Sequence, residues 1–184
     1  MADASVRTAE VQDAAAIARV QASAWRAAYG RLWPADVLAD LDSPDGAERW
    51  RQAVAAPPSP RHRVLVALAG PEVVGYAVTG PSDDSDLDDA VDAEIAALSV
   101  LPDRQGQGHG SRLVNAAVDH LCRDGFRRGY VWLADAGGAD DDLLGFLTGA
   151  GWGPDGVRRV LDLDDDGRLV VSQVRLVAEI GATS

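Results

Sequence analysis

The chain has 184 residues, of which 47% are hydrophobic and 25% charged, as in ordinary soluble globular proteins. The length predicts one domain with a sizeable core and leaves little room for a second. The formal net charge of −12 argues against nucleic-acid binding, which needs a basic surface. No apolar run approaches the roughly 18 residues of a membrane span, so we expect no membrane contact.

Cysteine usage and the first residues point to a compartment. The single cysteine, Cys122, rules out an internal disulfide or a cysteine-rich metal site, and we expect it to be a buried small hydrophobe. The segment 1–11 has no basic cluster followed by an apolar stretch, which is atypical of a signal peptide. We therefore expect a cytoplasmic protein. No cluster of His, Cys, Asp and Glu has metal-ligand spacing, so no metal is expected.

Hydrophobic periodicity and turn residues predict the elements of the first half. In chain order these are a strand Ser5 to Thr8, a helix from an Asp13 N-cap to about Tyr29, a short helix from Pro34 to about Asp40, a helix from Ser43-Pro44 that ends before the proline-containing segment 55–60, and a hairpin of strands Arg63 to Ala69 and Val73 to Thr79. An acidic loop follows from Pro81 to Asp92, and we interpret it as solvated.

The second half alternates strands and helices. It contains a strand Ala93 to Val100, a glycine-rich turn, a helix Gly108 to Arg123, a strand Arg128 to Ala134, a helix Asp140 to Thr148, and a hairpin of strands Arg158 to Leu163 and Arg168 to Leu176 around Asp164 to Gly167. This order predicts an α+β fold with helices on the faces of a mixed sheet. We expect one domain over 1–184, with its core at about 5–178.

The glycine-rich turn carries the strongest chemical signal. Gly106, Gly108 and Gly110 allow an anion to approach the backbone closely. The first N–H groups of the following helix have no internal partners, and the helix dipole adds positive charge there. Arg104 and Arg112 contribute local positive charge within an acidic chain. The turn is therefore suited to a phosphate group.

Other phosphate-binding patterns fit less well. A P-loop requires a lysine at the helix start, and none is present. A dinucleotide fingerprint would need its third glycine one residue after Gly110. The turn from Val100 to Gly106 is also longer than the tight turn of that fold. Asp135 does end the next strand, as a ribose-binding acid would. A dinucleotide site and a glycine turn without a ligand both stay open as alternatives.

The turn closely resembles that of the GNAT superfamily of N-acetyltransferases. Gln105-Gly-Gln-Gly-His-Gly110 matches its Gln/Arg-x-x-Gly-x-Gly/Ala motif, and Leu98 to Pro102 matches the preceding hydrophobic-x-Val-x-Pro. Phe146 and Gly151-Trp152 resemble its looser second motif. The resemblance spans most of the chain. It implies a three-layer α/β/α fold with a mostly antiparallel mixed sheet whose central strands splay apart.

The resemblance also implies acetyl-CoA as cosubstrate and no metal. The turn would hold the pyrophosphate, the pantetheine arm would lie between the splayed strands, and the Val100 amide would polarise the thioester. The residues implied for acetyl-CoA are Leu98, Ser99, Val100, Arg104, Gln105, Gly106, Gln107, Gly108, His109, Gly110 and Ser111. The acceptor would be a small-molecule or peptide amine. Dimerisation is common in the family, so a homodimer is an open expectation.

Proton transfer needs further groups. An alkyl amine, with a pKa near about 10, must lose a proton before it attacks. Glu94 is the candidate base, and strand alternation predicts that it shares a face with Leu98 and Val100. The alternative is a solvent-facing glutamate at the start of a strand.

The family's general-acid tyrosine is absent, because Leu147 stands at that position. The thiolate could leave unprotonated, take a proton from water, or take one from Ser99 or Tyr130. A further alternative is a catalytically weak acyl-CoA-binding or sensing module.

The remaining aromatic residues point to the acceptor. Trp25 and Tyr29, with Trp33, lie where the family's variable helices cover the acceptor pocket. Core packing is the alternative for Trp25. His109 is expected to offer only its backbone.

Overall fold

The computed structural model describes residues 4–30, 33–34, 43–135, 141–162 and 170–181. The strands are β1 Ala4–Thr8, β2 Arg63–Ala69, β3 Glu72–Pro81, β4 Asp92–Val100, β5 Arg128–Ala134, β6 Gly153–Asp162 and β7 Val170–Glu179, and the helices are α1 Ala14–Tyr29, α2 Pro44–Ala55, α3 His109–Arg123 and α4 Asp141–Gly149. The helix expected after Pro34 and the turn 164–167 lie outside the described residues.

The seven strands form one sheet in the order β1-β2-β3-β4-β5-β7-β6. Every neighbouring pair is antiparallel except β4 and β5, which are parallel. The expected mixed, mostly antiparallel sheet is therefore confirmed. The expected start of β6 at Arg158 was wrong, because the strand begins at Gly153. A bulge between Pro154 and Arg158 removes the period-two pattern that would have revealed this stretch as a strand.

The helices cover both faces of the sheet. Tyr76 on β3 packs against Trp50 of α2, with ring centroids 4.9 Å apart. The preceding residue, Gly75, faces Leu113 of α3 on the opposite side, where a built Cβ would lie 3.2 Å from that leucine. Successive residues of a strand point to opposite faces. The two helices therefore lie on opposite sides, and the expected three-layer architecture is confirmed.

The start of α1 is fixed to the sheet by an ion pair. Asp13 is the N-cap, as expected, yet its carboxylate accepts hydrogen bonds from Arg7 of β1 at 2.6 and 3.0 Å and from the Glu10 N–H at 2.7 Å. The hydrogen bond from Arg7 lowers the pKa of Asp13. Ile17 and Val20 are fully buried in the core, so α1 sits in a defined position over the sheet.

Cys122 corrects a sequence expectation. It is exposed rather than buried, and its thiol donates to the carbonyl of Ile180 with a sulfur–oxygen distance of 2.7 Å. The buried stripe of α3 consists of residues such as Leu113, Ala117 and Leu121. Cys122 follows directly after Leu121 and therefore points away from this stripe, since adjacent helical residues face different directions.

Candidate active site

Strands β4 and β5 separate along most of their length. Their parallel pairing is confined to the first residues of β4 and ends where Glu94 meets Tyr130. From Ile95 onward, the β5-facing edge of β4 has no ladder partner among the described residues. The splay implied by the family resemblance is confirmed.

The register with β3 shows which backbone groups face this gap. The N–H of Leu101 donates to the carbonyl of Val74 at 2.8 Å, so this position bonds toward β3. In an antiparallel pair, the residues whose N–H and C=O bond across the ladder alternate with residues whose groups point away. Val100 and Leu98 are the outward-pointing residues, and Ser99 directs its backbone toward β3. The N–H groups of both residues and the C=O of Leu98 are therefore available to a ligand that carries amides.

A β-bulge interrupts β4 at Ala96. This residue has no partner on β3, whereas its two neighbours pair with consecutive residues of that strand. A one-residue bulge reverses the alternation of side chains. Glu94 therefore lies on the opposite face of the sheet from Leu98 and Val100, and the expectation of a shared face was wrong.

The turn that leads into α3 exposes a row of backbone donors. Gly106 and Gly108 have φ angles of 71° and 81°, in the left-handed region that favours glycine. No described residue accepts a hydrogen bond from any N–H group of Gly106–Ser111. The turn points these unpaired groups outward at the positive end of the α3 dipole. The residues present therefore fit the pyrophosphate of a coenzyme.

Both arginines at this turn have hydrogen-bond partners within the protein. Arg104 donates to Glu72 at 3.0 Å, and Arg112 donates to the carbonyl of Gln107 at 3.3 Å. His109 is only 3% exposed, and its Nδ1 has no partner among the described residues. Burial and then Arg112 and Arg104 lower the pKa of His109. A buried neutral imidazole is consistent with the expectation that His109 contributes only its backbone.

The other residues expected around the turn lie close to it. The Gln105 amide donates to the carbonyl of Val100 at 3.4 Å, which links the turn to the end of β4. Gly110 faces Phe146 of α4, whose ring lies 3.9 Å from a built Cβ. Ser111 is exposed in the first turn of α3. The glycine motif and the second family motif therefore meet in space.

Glu94 has the electrostatics of a proton acceptor. Burial raises the pKa of its carboxyl to about 7, and Asp84 and Asp83 add to the rise, whereas Arg159 and Arg175 oppose it. No described residue donates a hydrogen bond to this carboxylate. A base with a pKa near the working pH is well matched to general base catalysis.

Half of the residues of the acidic loop are exposed, as the interpretation of a solvated loop expects, but three of its carboxylates are bound to side chains of the sheet. The Asp92 side chain is fully buried and accepts from Arg128 at 2.7 and 2.8 Å. Asp84 accepts from Trp132 Nε1 at 2.9 Å. The physical reason is burial: a carboxylate removed from water requires a cationic or hydrogen-bonding partner.

Sequence reasoning missed Arg175, which is the main partner of this loop. The residue is 3% exposed and donates to Asp86 at 2.6 and 2.9 Å, to Asp84 at 3.1 Å and to Asp155 at 2.7 Å. The hydrogen bond to Asp86 is the largest of the influences that raise the pKa of Arg175. Because β5 pairs with β7, Arg175 lies beside Trp132 on the same face as Glu94.

The position of the family's tyrosine is closed to solvent. Leu147 is fully buried in the core. Of the two alternative donors, Tyr130 is 3% exposed, and burial raises its pKa. Ser99 neighbours Tyr76 across the β3–β4 ladder, and burial raises the pKa of Tyr76 to about 12 while a Ser99 hydrogen bond opposes the rise. Neither tyrosine is a readily ionised acid.

Three aromatic side chains cluster at the end of α1. Tyr29 and Trp33 stack with centroids 4.4 Å apart, and Trp25 meets both edge-on at 6.5 and 5.5 Å. All three are half-buried, and none belongs to the buried core. Trp25 therefore lies at the margin of the core, with part of its surface accessible.

The described residues contain neither a metal-ligand cluster nor a membrane-spanning helix. No group of three or more His, Cys, Asp or Glu among them could hold a metal ion. None of the helices that the structure describes is long and apolar enough to cross a membrane.

Comparison with known proteins places this geometry in a family. The model of the acetyltransferase (GNAT) family matches residues 22–154. The uncharacterized N-acetyltransferase YuaI of Bacillus subtilis (strain 168) is 29% identical over 134 residues, which cover 71% of this chain and 72% of the relative.

Solved structures show the same fold. The PaiA N-acetyltransferase of Thermoplasma acidophilum, in complex with coenzyme A, has a TM-score of 0.74 at 13% identity and covers 96% of this chain and 99% of its own. The yncA protein of Salmonella typhimurium, a putative acetyltransferase with its cofactor acetyl-CoA, has a TM-score of 0.65 at 18% identity and covers 99% and 96%. The family match spans well over half of the chain, and the chain therefore belongs to the acetyltransferase (GNAT) family and is an acetyl-CoA-dependent N-acetyltransferase.

Proposed function

We propose that the protein transfers the acetyl group of acetyl-CoA to a primary amine by direct attack in a ternary complex, with Glu94 as the base. The observation that carries this proposal is the half-buried Glu94 carboxyl, whose pKa is raised to about 7, on β4 where the strand begins to separate from β5. Such a group accepts a proton at neutral pH and releases it again after turnover.

The cosubstrate would lie along the free edge of β4. The N–H groups of Gly106–Ser111 would hold its pyrophosphate, and the outward backbone of Leu98 and Val100 would pair with its amides. The N–H of Val100 would donate to the thioester oxygen as negative charge develops there, in the manner of an oxyanion hole. Arg104, half-buried beside the turn and paired with Glu72, would add positive charge.

The chemical step requires one proton acceptor. The cationic amine first releases one proton to solvent, and the neutral nitrogen then attacks the thioester carbonyl carbon while its second proton passes through water to Glu94. A carbon–nitrogen bond forms, and the carbon–sulfur bond then breaks as the tetrahedral intermediate collapses. Coenzyme A leaves as a thiolate, whose pKa of about 8.5 makes it an adequate leaving group without a protein acid. The tyrosine that is absent at Leu147 therefore needs no substitute elsewhere in the protein, and solvent supplies the proton to sulfur.

The acceptor is proposed to be a cationic small-molecule or peptide amine. The protein is strongly acidic, with a net charge of −12, and Asp83 is exposed near Glu94. Trp25 and Tyr29 would form an aromatic wall of the acceptor pocket, since aromatic faces attract cations and line binding sites.

A second candidate is an acyl-CoA-binding or sensing module with weak catalysis. The buried Leu147 in place of a proton-donating tyrosine favours it. Both candidates use the same cosubstrate site and differ only in turnover.

Thiol release with acetyl-CoA and a panel of amines tests the proposal. Glu94→Gln should lower kcat by about 10²- to 10⁴-fold, the usual contribution of a general base. The melting-temperature rise caused by acetyl-CoA should be unchanged. Glu179→Gln, at the exposed end of β7, is the control and should behave as wild type. Initial rates at varied concentrations of both substrates should give intersecting lines, whereas parallel lines would indicate an acetyl-enzyme and contradict direct attack.

Two other results are decisive. A melting-temperature rise with acetyl-CoA, combined with no turnover of any amine, would favour the sensing module. Absence of a rise with either acetyl-CoA or coenzyme A would contradict the proposed use of the glycine turn.

A further inference from the structure

We infer that Arg175 is a positioning residue, which holds the acidic loop over the face of the sheet that carries Glu94 and so keeps the proposed base out of water. The inference rests on the proposed function only in treating Glu94 as the catalytic base. Its structural content, a loop fixed by one buried guanidinium, can be measured separately.

The first support is the geometry of the guanidinium. All three nitrogens of Arg175 donate to carboxylates at 2.6 to 3.1 Å, and these carboxylates come from two distant segments of the chain. Asp84 and Asp86 belong to the acidic loop, and Asp155 belongs to β6. A planar guanidinium with several fixed donors is suited to joining carboxylates in this way.

The second support is how firmly Arg175 itself is held. Its guanidinium carbon lies 5.2 Å from the ring centre of Tyr130 and 5.4 Å from that of Trp132. Opposite Arg175, the β6 strand bulges between Pro154 and Arg158, and this bulge carries Asp155. The regular pairing of β6 is thus interrupted where this strand meets the arginine. Arg175 therefore provides a fixed point for the loop.

The third support is the path of the loop. From Ser82, whose N–H bonds to the Asp92 carbonyl at 3.0 Å, the loop crosses the sheet and returns to the start of β4. Its base is fixed by Asp92, buried against Arg128. Its outer part is fixed by Arg175 and by the Trp132–Asp84 hydrogen bond. Glu94 follows two residues after the base, so the loop borders it.

The groups nearest Glu94 come from five neighbouring segments. The loop contributes Asp83 and Asp84, β5 contributes Tyr130, β6 contributes Arg159, β7 contributes Arg175, and His62, before β2, lies over Gly80, the partner of Glu94 on β3. Burial is the largest influence on the pKa of Glu94, followed by opposing contributions from two arginines, Arg159 and Arg175, and two aspartates, Asp84 and Asp83.

The sign of the effect follows from these causes. A released loop would admit water to Glu94 and move the two aspartates away, and both changes lower the pKa from about 7 toward the ordinary value of 4.5. Substitution of Arg175 itself would mix this effect with the loss of its positive charge, which acts in the opposite direction. The test therefore uses its partners.

The matched variants are Asp86→Ala and Asp155→Ala. Each removes one carboxylate that bonds Arg175 at 2.6 to 2.9 Å, and neither residue is among the main charges acting on Glu94. Only Asp86 belongs to the loop. The carboxyl carbon of Glu94 is titrated by NMR in the ligand-free protein, with Glu94→Gln used to assign the signal. Asp86→Asn, which keeps a hydrogen-bond acceptor, replaces Asp86→Ala if that variant does not fold.

In Asp86→Ala, the pKa of Glu94 should be lower by at least about one unit, which is a tenfold change in its protonation equilibrium. In Asp155→Ala, the pKa of Glu94 should be unchanged. Equal shifts in the two variants, or no shift in Asp86→Ala, would overturn the inference. Failure of the proposed function has a different signature. In that case Glu94 of the wild type titrates near 7, but the pH dependence of kcat/KM shows no matching limb.

Discussion

Two regions lie at opposite ends of β4: the sheet face around Glu94 near its start, and the turn before α3 after its end. They are made of different chemical groups. The turn offers backbone N–H groups of Gly106–Ser111, supplied by one continuous segment. The Glu94 face is made of side chains, and Arg175 joins the acidic loop to β6 there. Binding of the cosubstrate should therefore depend on local backbone conformation, whereas proton transfer should depend on contacts between distant segments.

The largest expected effect concerns the Glu94 face. Because burial raises the pKa of Glu94 to about 7 and a base must be unprotonated to act, the contribution of Glu94 to kcat/KM should fall about tenfold per pH unit below 7, or about a hundredfold by pH 5. The measurement is kcat/KM for the acceptor between pH 5 and 9.

Protonation of the acceptor amine also lowers kcat/KM as the pH falls. The Glu94→Gln variant retains only that decrease, so the ratio of wild type to variant isolates the base. A ratio independent of pH would contradict the role of Glu94, and it would remove the proposed division between binding and proton transfer.

The contrast between the regions also explains what sequence reasoning could find. The glycine turn was predictable because its conformation and its donors are encoded within a few consecutive residues. The Arg175 cluster was not predictable, because Asp84 and Asp86 lie about 90 residues earlier and only the fold brings them together. Sequence showed an excess of aspartates in the loop but not which arginine faces them.

Glu94 illustrates an intermediate case. Its identity as the candidate base came from the sequence, but its face did not. The bulge at Ala96 has no glycine or proline in β4 to signal it, and a single extra residue reverses the alternation. The strand order was likewise not predicted, because β7 inserts between β5 and β6.

The next effect concerns the position of the missing tyrosine, Leu147, which belongs to α4 and to neither of the two regions. Leu147 is fully buried, so Leu147→Tyr would force a larger side chain and a hydroxyl into the core. We expect a loss of about 2 kcal/mol in the free energy of unfolding, measured by denaturant titration, and no gain in kcat. Leu144→Tyr, at a partly exposed position on the same helix, is the control. A rise in kcat would show that the thiolate does need a protein acid.

A smaller effect is expected at the turn. Gly108 has φ 81°, and a built Cβ would lie 2.8 Å from Arg112 Nη1. Gly108→Ala should therefore distort the row of N–H donors and raise the Kd for acetyl-CoA about tenfold, a cost near 1.4 kcal/mol consistent with a left-handed residue gaining a side chain. Calorimetry with coenzyme A and acetyl-CoA measures it. Gly145→Ala, which meets no neighbouring atom, should leave Kd unchanged; equal effects would contradict a backbone-built site.

The smallest expected effect concerns binding of the acceptor. It tests whether a third region, the aromatic cluster of α1, takes part in that binding. Trp25→Ala removes the ring that meets both Tyr29 and Trp33 edge-on. If Trp25 is a wall of the acceptor pocket, the acceptor KM should rise about threefold, because a partly exposed ring contributes roughly 0.5–1 kcal/mol to binding a cation. The Kd for acetyl-CoA should not change. Trp25→Phe keeps an aromatic face and should restore most of the affinity, whereas loss of stability with an unchanged KM would assign Trp25 to packing alone.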